Sequence, residues 1–322
     1  MVLSGARTQV LVFHPAERTI LLITGALGVA SFFLVWWKGI AVGPEFFTFS
    51  AGFAAVMIGV GQIYRQFRDS ERIALVTHVL GLFVAYSAFG VLFNIVLLPR
   101  PTAPIDAALV RIDAWLGYSW PALVSWFAEH PALNDIVRRV YALTLIQLLC
   151  AFIVLGALLD RRRLHAAALG TVFASLATIF CWALFPSGGA AAYWTLDPEV
   201  ERIVRPIVSP AYGAELYRLF REGVTDLSAM GVTGLVGFPS FHTVMALISL
   251  IALWPYLIAR LVLIGVCLLL FPAILVHGGH NLTDVLAGVA ITVGSWMAGL
   301  KIYDAQTRLA AEPSPVATPN PV

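Results

Sequence analysis

Residues 261–300 read LVLIGVCLLLFPAILVHGGHNLTDVLAGVAITVGSWMAGL, two apolar runs, 261–276 and 284–300, divided by a polar stretch from His277 to Thr283. An α-helix needs about 20 apolar residues to cross the roughly 30 Å hydrocarbon layer of a bilayer, and both runs approach that length. Gly278 and Gly279 break the chain between them. Working outward, six more runs of this kind appear at 19–37, 46–64, 73–98, 140–159, 164–185 and 240–257. The pattern predicts an all-α, polytopic membrane helix bundle of about eight transmembrane helices.

Composition agrees with that reading. Of 322 residues 60% are hydrophobic and 12% charged, and the mean hydropathy is +0.87. Soluble chains average roughly 45–50% and about 25%. So few charges cannot cover the surface of a soluble domain of this size, which excludes a soluble enzyme, a disordered chain and a disulfide scaffold. The net charge of +2 comes from short flanks and not from one basic stripe, so nucleic acid is not an expected partner. Cys150, Cys181 and Cys267 fall in apolar runs and read as small buried hydrophobes.

Three regions follow from the pattern: 1–72 as an N-terminal pair of transmembrane helices, 73–300 as the core, and 301–322 as a disordered tail containing Pro313, Pro315, Pro319 and Pro321. Arg7 and Arg18 precede the first run, which reads as a retained signal anchor. With the N-terminus in the cytoplasm, Arg65, Arg68, Arg72, Arg161, Arg162, Arg163, Arg260 and Lys301 gather on the cytoplasmic face, and Lys38 is the one cation in a short loop opposite. The long loops 99–139 and 186–239 then face outward, as does the turn 277–283.

The first loop carries apolar residues at 105, 108, 109, 112, 115 and 116, a helical spacing with one wet face, and Trp115, Trp120 and Trp126 suit the headgroup level. It is expected to lie on the membrane as a cover. The second loop is expected to hold a short helix near 213–222. Within the spans, His78 reads as a packing contact without an evident partner, and Asn94 and Gln147 as interhelical hydrogen-bonding groups.

Two outward stretches carry chemistry: Gly237-Phe238-Pro239-Ser240-Phe241-His242 and His277-Gly278-Gly279-His280-Asn281-Leu282-Thr283-Asp284. Each puts a histidine at a helix N-terminus, where backbone N–H groups and the dipole favour an anion, so two such ends facing each other would make a phosphate pocket. His280 and Asp284 are four apart, so the carboxylate can reach the imidazole, fix its tautomer and leave the other nitrogen as nucleophile. His242, from another helix, could protonate a leaving group. Two other readings compete. Asp284 could merely complete a capping box with Asn281, and His277 with His280 and Asp284 has a spacing that zinc could use.

At these residues the chain resembles the type 2 phosphatidic acid phosphatase superfamily. Pro239-Ser240-Phe241-His242 is similar to its second motif, Pro-Ser-Gly-His. His280, Asp284 and Val285-Leu286-Ala287-Gly288 are similar to the end of its third. The first motif is partial: Arg100-Pro101 is present, Phe93 stands where the family has Lys, and Ala273-Ile274 replace the Ser-Arg of the third motif. With Leu116–Pro121 and Phe185-Pro186, these departures look more like the inositol phosphorylceramide synthase branch, although Ser187-Gly188-Gly189 differs from its usual Ala-Pro-Pro.

The resemblance spans roughly residues 73–300 and implies a six-helix catalytic core. It implies His280 as the nucleophile that forms a phosphohistidine, Asp284 as its orienting group and His242 as the acid. Phosphate binding would then fall to Ser240 and, in place of the missing Lys, to Arg100, followed by Arg205 and Arg202.

The expected protein is therefore an integral-membrane lipid phosphatase or phosphotransferase needing no cofactor and no metal. A lipid phosphoester is its donor, water or a small alcohol its acceptor, and its site is extracytoplasmic in a bacterial inner membrane. The rival readings are a non-catalytic lipid transporter on the same fold and a metal-dependent membrane hydrolase using His277, His280, Asp284 and His242.

Overall fold

A computed structural model describes residues 12–68, 70–227 and 236–311. Arg7, part of the second long loop, and the proline-bearing residues of the expected tail lie outside them. The described chain forms α1 (Pro15–Lys38), α2 (Glu45–Phe67), α3 (Glu71–Val96), α4 (Asp106–Trp115), α5 (Trp120–Ala128), α6 (Pro131–Ala142) and α7 (Thr144–Ala157). It continues with α8 (Arg161–Leu184), α9 (Ala190–Tyr193), α10 (Pro198–Val204), α11 (Pro210–Glu222), α12 (Phe241–Ala252), α13 (Leu257–His277) and α14 (Leu282–Ala311).

The protein is an all-α membrane bundle, as expected, but the span count changes. Among the described residues six helices, α1, α2, α3, α8, α13 and α14, are long and apolar enough to cross a membrane. The expected span at 140–159 is instead a pair, α6 and α7, bent by 51° at Leu143, which makes seven if it counts as one span. The run at 240–257 yields only the 12 residues of α12, about 18 Å of helix, because Pro255 ends it.

α3 lies at the centre, against α1, α2, α7 and α8, and α8 in turn packs on α12 and α14. Small residues let α8 and α14 approach closely: a Cβ at Gly299 of α14 would stand 2.5 Å from the Ala166 carbonyl oxygen of α8. α14 continues ten residues beyond 301, where a disordered tail was expected, because Tyr303 is buried, Asp304 pairs with Arg162 (2.7 Å) and Gln306 bonds Thr19 (2.7 Å).

The loops also differ from expectation. The helix expected near 213–222 is present as α11, accompanied by α9 and α10. α4 exposes Ile112, Trp115 and Leu116, but its polar face turns into the protein and buries Asp106 and Asp113. Trp120 is not at the surface: it is 1% exposed and its indole N–H donates to the Leu275 carbonyl (2.8 Å). Of the cysteines only Cys267 is buried, and Cys150 faces outward. Gln147 bonds across helices to the Ala246 carbonyl (3.3 Å), whereas the Asn94 side-chain oxygen has no partner. His78 does have one, Gln62 at 3.0 Å.

Candidate active site

The C-terminal ends of α3, α8 and α13 meet the N-terminal ends of α12 and α14 at one end of the bundle. Ser240 starts α12 by accepting a bond from the Thr243 N–H (3.4 Å), while its own N–H donates to the Asp284 carbonyl (3.0 Å). The two helix starts are thereby tied together. Gly288 allows the contact, since a Cβ there would stand 2.7 Å from the Ser240 carbonyl oxygen. Gly279 adopts φ +63°, which favours glycine, and a Cβ would meet Ala191 at 2.5 Å.

These constraints bring three of the sequence-selected residues together. His280 Nδ1 lies 2.8 Å from the Gly237 carbonyl and 3.3 Å from Asp284 Oδ2. Both partners are acceptors, so Nδ1 carries the proton and Nε2 keeps its lone pair. His242 stacks on Tyr141 with ring centroids 4.4 Å apart, and its centroid is 6.3 Å from that of His280. Both imidazoles line a cavity of about 380 Å³ that runs between α3, α8 and α12. Asp284 is fully buried; its Oδ2 also accepts the Asn281 N–H (2.7 Å), so the capping and orienting roles coexist in one carboxylate.

The expected phosphate pocket between two helix ends is only half present. Asp113 occupies the N-terminus of α14, accepting the N–H groups of Leu282 and Thr283 (each 2.9 Å) and the Thr283 hydroxyl. An anion is thus already in place there, and α12 alone offers its first-turn N–H groups.

Seven residues earlier on the same face of α4, Asp106 accepts the Ser187 hydroxyl (2.7 Å), the N–H groups of Gly188 (3.1 Å) and Gly189 (3.0 Å), and the Tyr217 hydroxyl (2.9 Å). Burial and the neighbouring Asp106 charge push the Tyr217 phenol up, and burial with the Asp113 and Asp284 charges does the same at Tyr118. Sequence reasoning placed both aspartates on a wet face. Their two-turn spacing was the signal that they could act together on buried partners.

The arginines are arranged differently from the histidines. Arg100 is 8% exposed, lies over the Trp182 ring (4.1 Å), donates to the Leu97 carbonyl (3.2 Å) and leaves Nε and one terminal nitrogen without partners. Burial lowers its pKa to about 10. The Trp182 indole N–H donates to the Ser187 carbonyl (2.9 Å), and Arg100 does not line the cavity. Arg205 pairs with Asp135 (3.1 Å) and Arg202 with Glu199, both on the exposed surface away from the cavity. Lys38, which sequence reasoning left as a loop cation, donates to the Val96 and Leu98 carbonyls (2.6 and 2.7 Å) and fixes the chain where the first loop begins.

His277, fully buried at the end of α13, lies beside the Asn134 backbone of α6. It does not join His242 and His280. Among the described residues no three His, Cys, Asp or Glu side chains are placed to hold a metal ion.

Residues 107–298 match the family model of the PAP2 superfamily. No curated protein and no solved structure matches the chain. The match contains α4 from its second residue, with Asp113 but not Asp106, both histidine-bearing helix starts and the α8 wall of the cavity. It covers more than half of the sequence, and the chain therefore belongs to the PAP2 superfamily of membrane enzymes acting on lipid phosphoesters.

Proposed function

We propose that the protein cleaves a lipid phosphoester through a phosphohistidine on His280. The observation that carries this reading is the fixed tautomer of His280: Nδ1 is held by the Gly237 carbonyl and Asp284, and Nε2 is left for the cavity that His242 also lines.

In the first step Nε2 attacks phosphorus, the bond from phosphorus to the leaving oxygen breaks, and imidazolium His242 gives that oxygen its proton. In the second, neutral His242 takes a proton from water or an alcohol, which attacks the phosphohistidine and frees His280. Asp284 supports the imidazolium that develops on His280. The α12 N-terminus with Ser240 is the proposed phosphate seat, and Arg100, buried over the Trp182 ring with unpartnered donors, the proposed cation. Hydrolysis makes the enzyme a phosphatase. Transfer to an alcohol, as in the inositol phosphorylceramide synthase branch it resembles, uses the same first step.

An extracytoplasmic position of the site is supported by charge. Arg65, Arg161 and Arg162 lie at helix ends opposite the site, and Lys301 in the part of α14 away from it, where a cytoplasmic excess of Lys and Arg belongs. The test is to incubate purified protein with a panel of phospholipid donors, with and without myo-inositol and diacylglycerol, and to identify products by mass. Expected are release or transfer of a phospho-group and an acid-labile, base-stable phosphoprotein, both lost in His280→Ala. Turnover that persists in His280→Ala overturns the nucleophile assignment.

A further inference from the structure

The cavity below the histidine pair has walls that are mostly hydrocarbon, from Phe83, Val91, Leu145, Ile179, Phe241 and Met245. Four small polar side chains from two helices stand in its wall: Ser87 and Asn94 of α3, and Ser175 and Thr178 of α8. Ser87 is satisfied by the Phe83 carbonyl of its own helix (2.8 Å). Asn94 and Thr178 are not. Asn94 is 6% and Thr178 1% exposed, and neither the Asn94 side-chain oxygen nor the Thr178 hydroxyl has a hydrogen-bond partner. Buried polar atoms left unpaired are costly, and more so where no water is at hand, so a ligand that completes them is bound preferentially.

Position narrows the ligand. Asn94 lies within a turn of the α3 end and Thr178 within two turns of the α8 end, so both stand just below the histidines and not deep in the bundle. At 1.5 Å per residue, the track from Asn94 to Ser87 descends about 10 Å. A phosphate held at His280 would put the first few atoms of its lipid beside these two groups.

We infer that Asn94 and Thr178 are specificity-determining residues that bind the polar backbone of the lipid. The cavity takes phosphorylated lipids whose phosphate is followed by hydroxyl, ester or amide groups, in preference to polyprenyl phosphates, which present only hydrocarbon there. A polyprenyl chain would fill the space and leave both groups unpaired, the arrangement by which a site built for hydrogen bonding rejects an analogue lacking it. This inference rests on the phosphoester reading of the same site.

The test compares three probes, a diacylglycerol phosphate, a sphingoid-base phosphate and a polyprenyl phosphate, on the full-length protein and its Asn94→Leu and Thr178→Val variants. Two readouts are taken: kcat/KM for phosphate release, and equilibrium binding of fluorescent versions of each lipid to the His280→Ala protein with and without the same two substitutions. The wild type should favour the polar-backbone probes. Each substitution should reduce that preference by roughly tenfold to a hundredfold, mainly through KM and the binding constant. A wild type that prefers the polyprenyl probe, or variants that lower all three probes equally, overturns the inference. If no probe is turned over, the phosphoester reading fails, and the binding arm still decides the preference.

Discussion

The bundle buries a carboxylate among histidines at each of its two ends, and the two clusters differ in how completely their polar atoms are paired. At the end away from the cavity, Glu17 is 0% exposed and both its oxygens are occupied. Arg65 donates to each (2.6 and 3.0 Å), the His14 N–H donates at 2.8 Å, and His165 and His78 stand 3.5 and 3.8 Å away. The rings of His14, His165 and Tyr303 stack beside them. This cluster joins α1, α2, α3, α8 and α14, and its carboxylate has no vacancy left. At the other end Asp284 Oδ1 is unpaired, His280 offers Nε2, and Asn94 and Thr178 face the cavity unsatisfied. A buried titratable group in a membrane helix is therefore not by itself a sign of chemistry. Both oxygens of Glu17 are paired, whereas Asp284 keeps one oxygen unpaired beside His280, and that difference separates the two carboxylates.

That contrast can be broken most sharply at His280. His280→Ala should lower phosphate release by about a thousandfold or more, as loss of a nucleophile does, with the thermal midpoint of the detergent-solubilised protein little changed. Asp113→Ala comes next. It removes the acceptor at the start of α14 without touching substrate, and the resulting misplacement of His280 should cost roughly tenfold to a hundredfold in kcat. Asp113→Asn, which keeps one acceptor oxygen, should recover part of that loss. Rates at saturating lipid, which read kcat alone, would stay near wild type if Asp113 merely held the substrate.

At the structural end the effect should fall on stability. Glu17→Ala leaves Arg65 without its partner and should lower stability by about 2–3 kcal/mol while activity per folded molecule stays near wild type. A large loss of activity at full folding would join the two ends functionally. The smallest effect is in pH. Burial, and then the nearby His165, lowers the pKa of His14 to about 4 from its ordinary 6.5. Its neutral form is thus favoured by folding, and that contribution is complete above pH 6.5 and lost as pH falls towards 4. Thermal midpoints recorded across that window should decline, and His14→Gln should flatten the decline.

Much of this was legible in the residues themselves. Apolar run lengths gave the membrane class and the position of nearly every long helix, because a bilayer demands about 20 apolar residues whatever surrounds them. The His280–Asp284 spacing gave the contact between that imidazole and that carboxylate, since residues four apart at a helix start can meet. The failures share one cause. Trp120, α4 and the chain beyond 301 were each read from local amphipathicity or composition, yet their placement depends on partners far away in sequence: the Leu275 carbonyl, the Gly188–Gly189 and Leu282–Thr283 amides, and Asp304 with Arg162. Arg205 likewise looked available for phosphate until Asp135 was found beside it.

The sequence by itself thus determined that the protein spans a membrane, roughly where most of its long helices lie, and that His242, His280 and Asp284 fall at helix starts. Those properties follow from period, length and short spacing. Only the tertiary structure decided which polar groups are already satisfied. It filled the α14 N-terminus with Asp113, saturated Glu17, and left Nε2 of His280, Asn94 and Thr178 facing one cavity. Hydrogen-bond satisfaction is a property of pairs, and most of these pairs lie tens to more than a hundred residues apart in the chain.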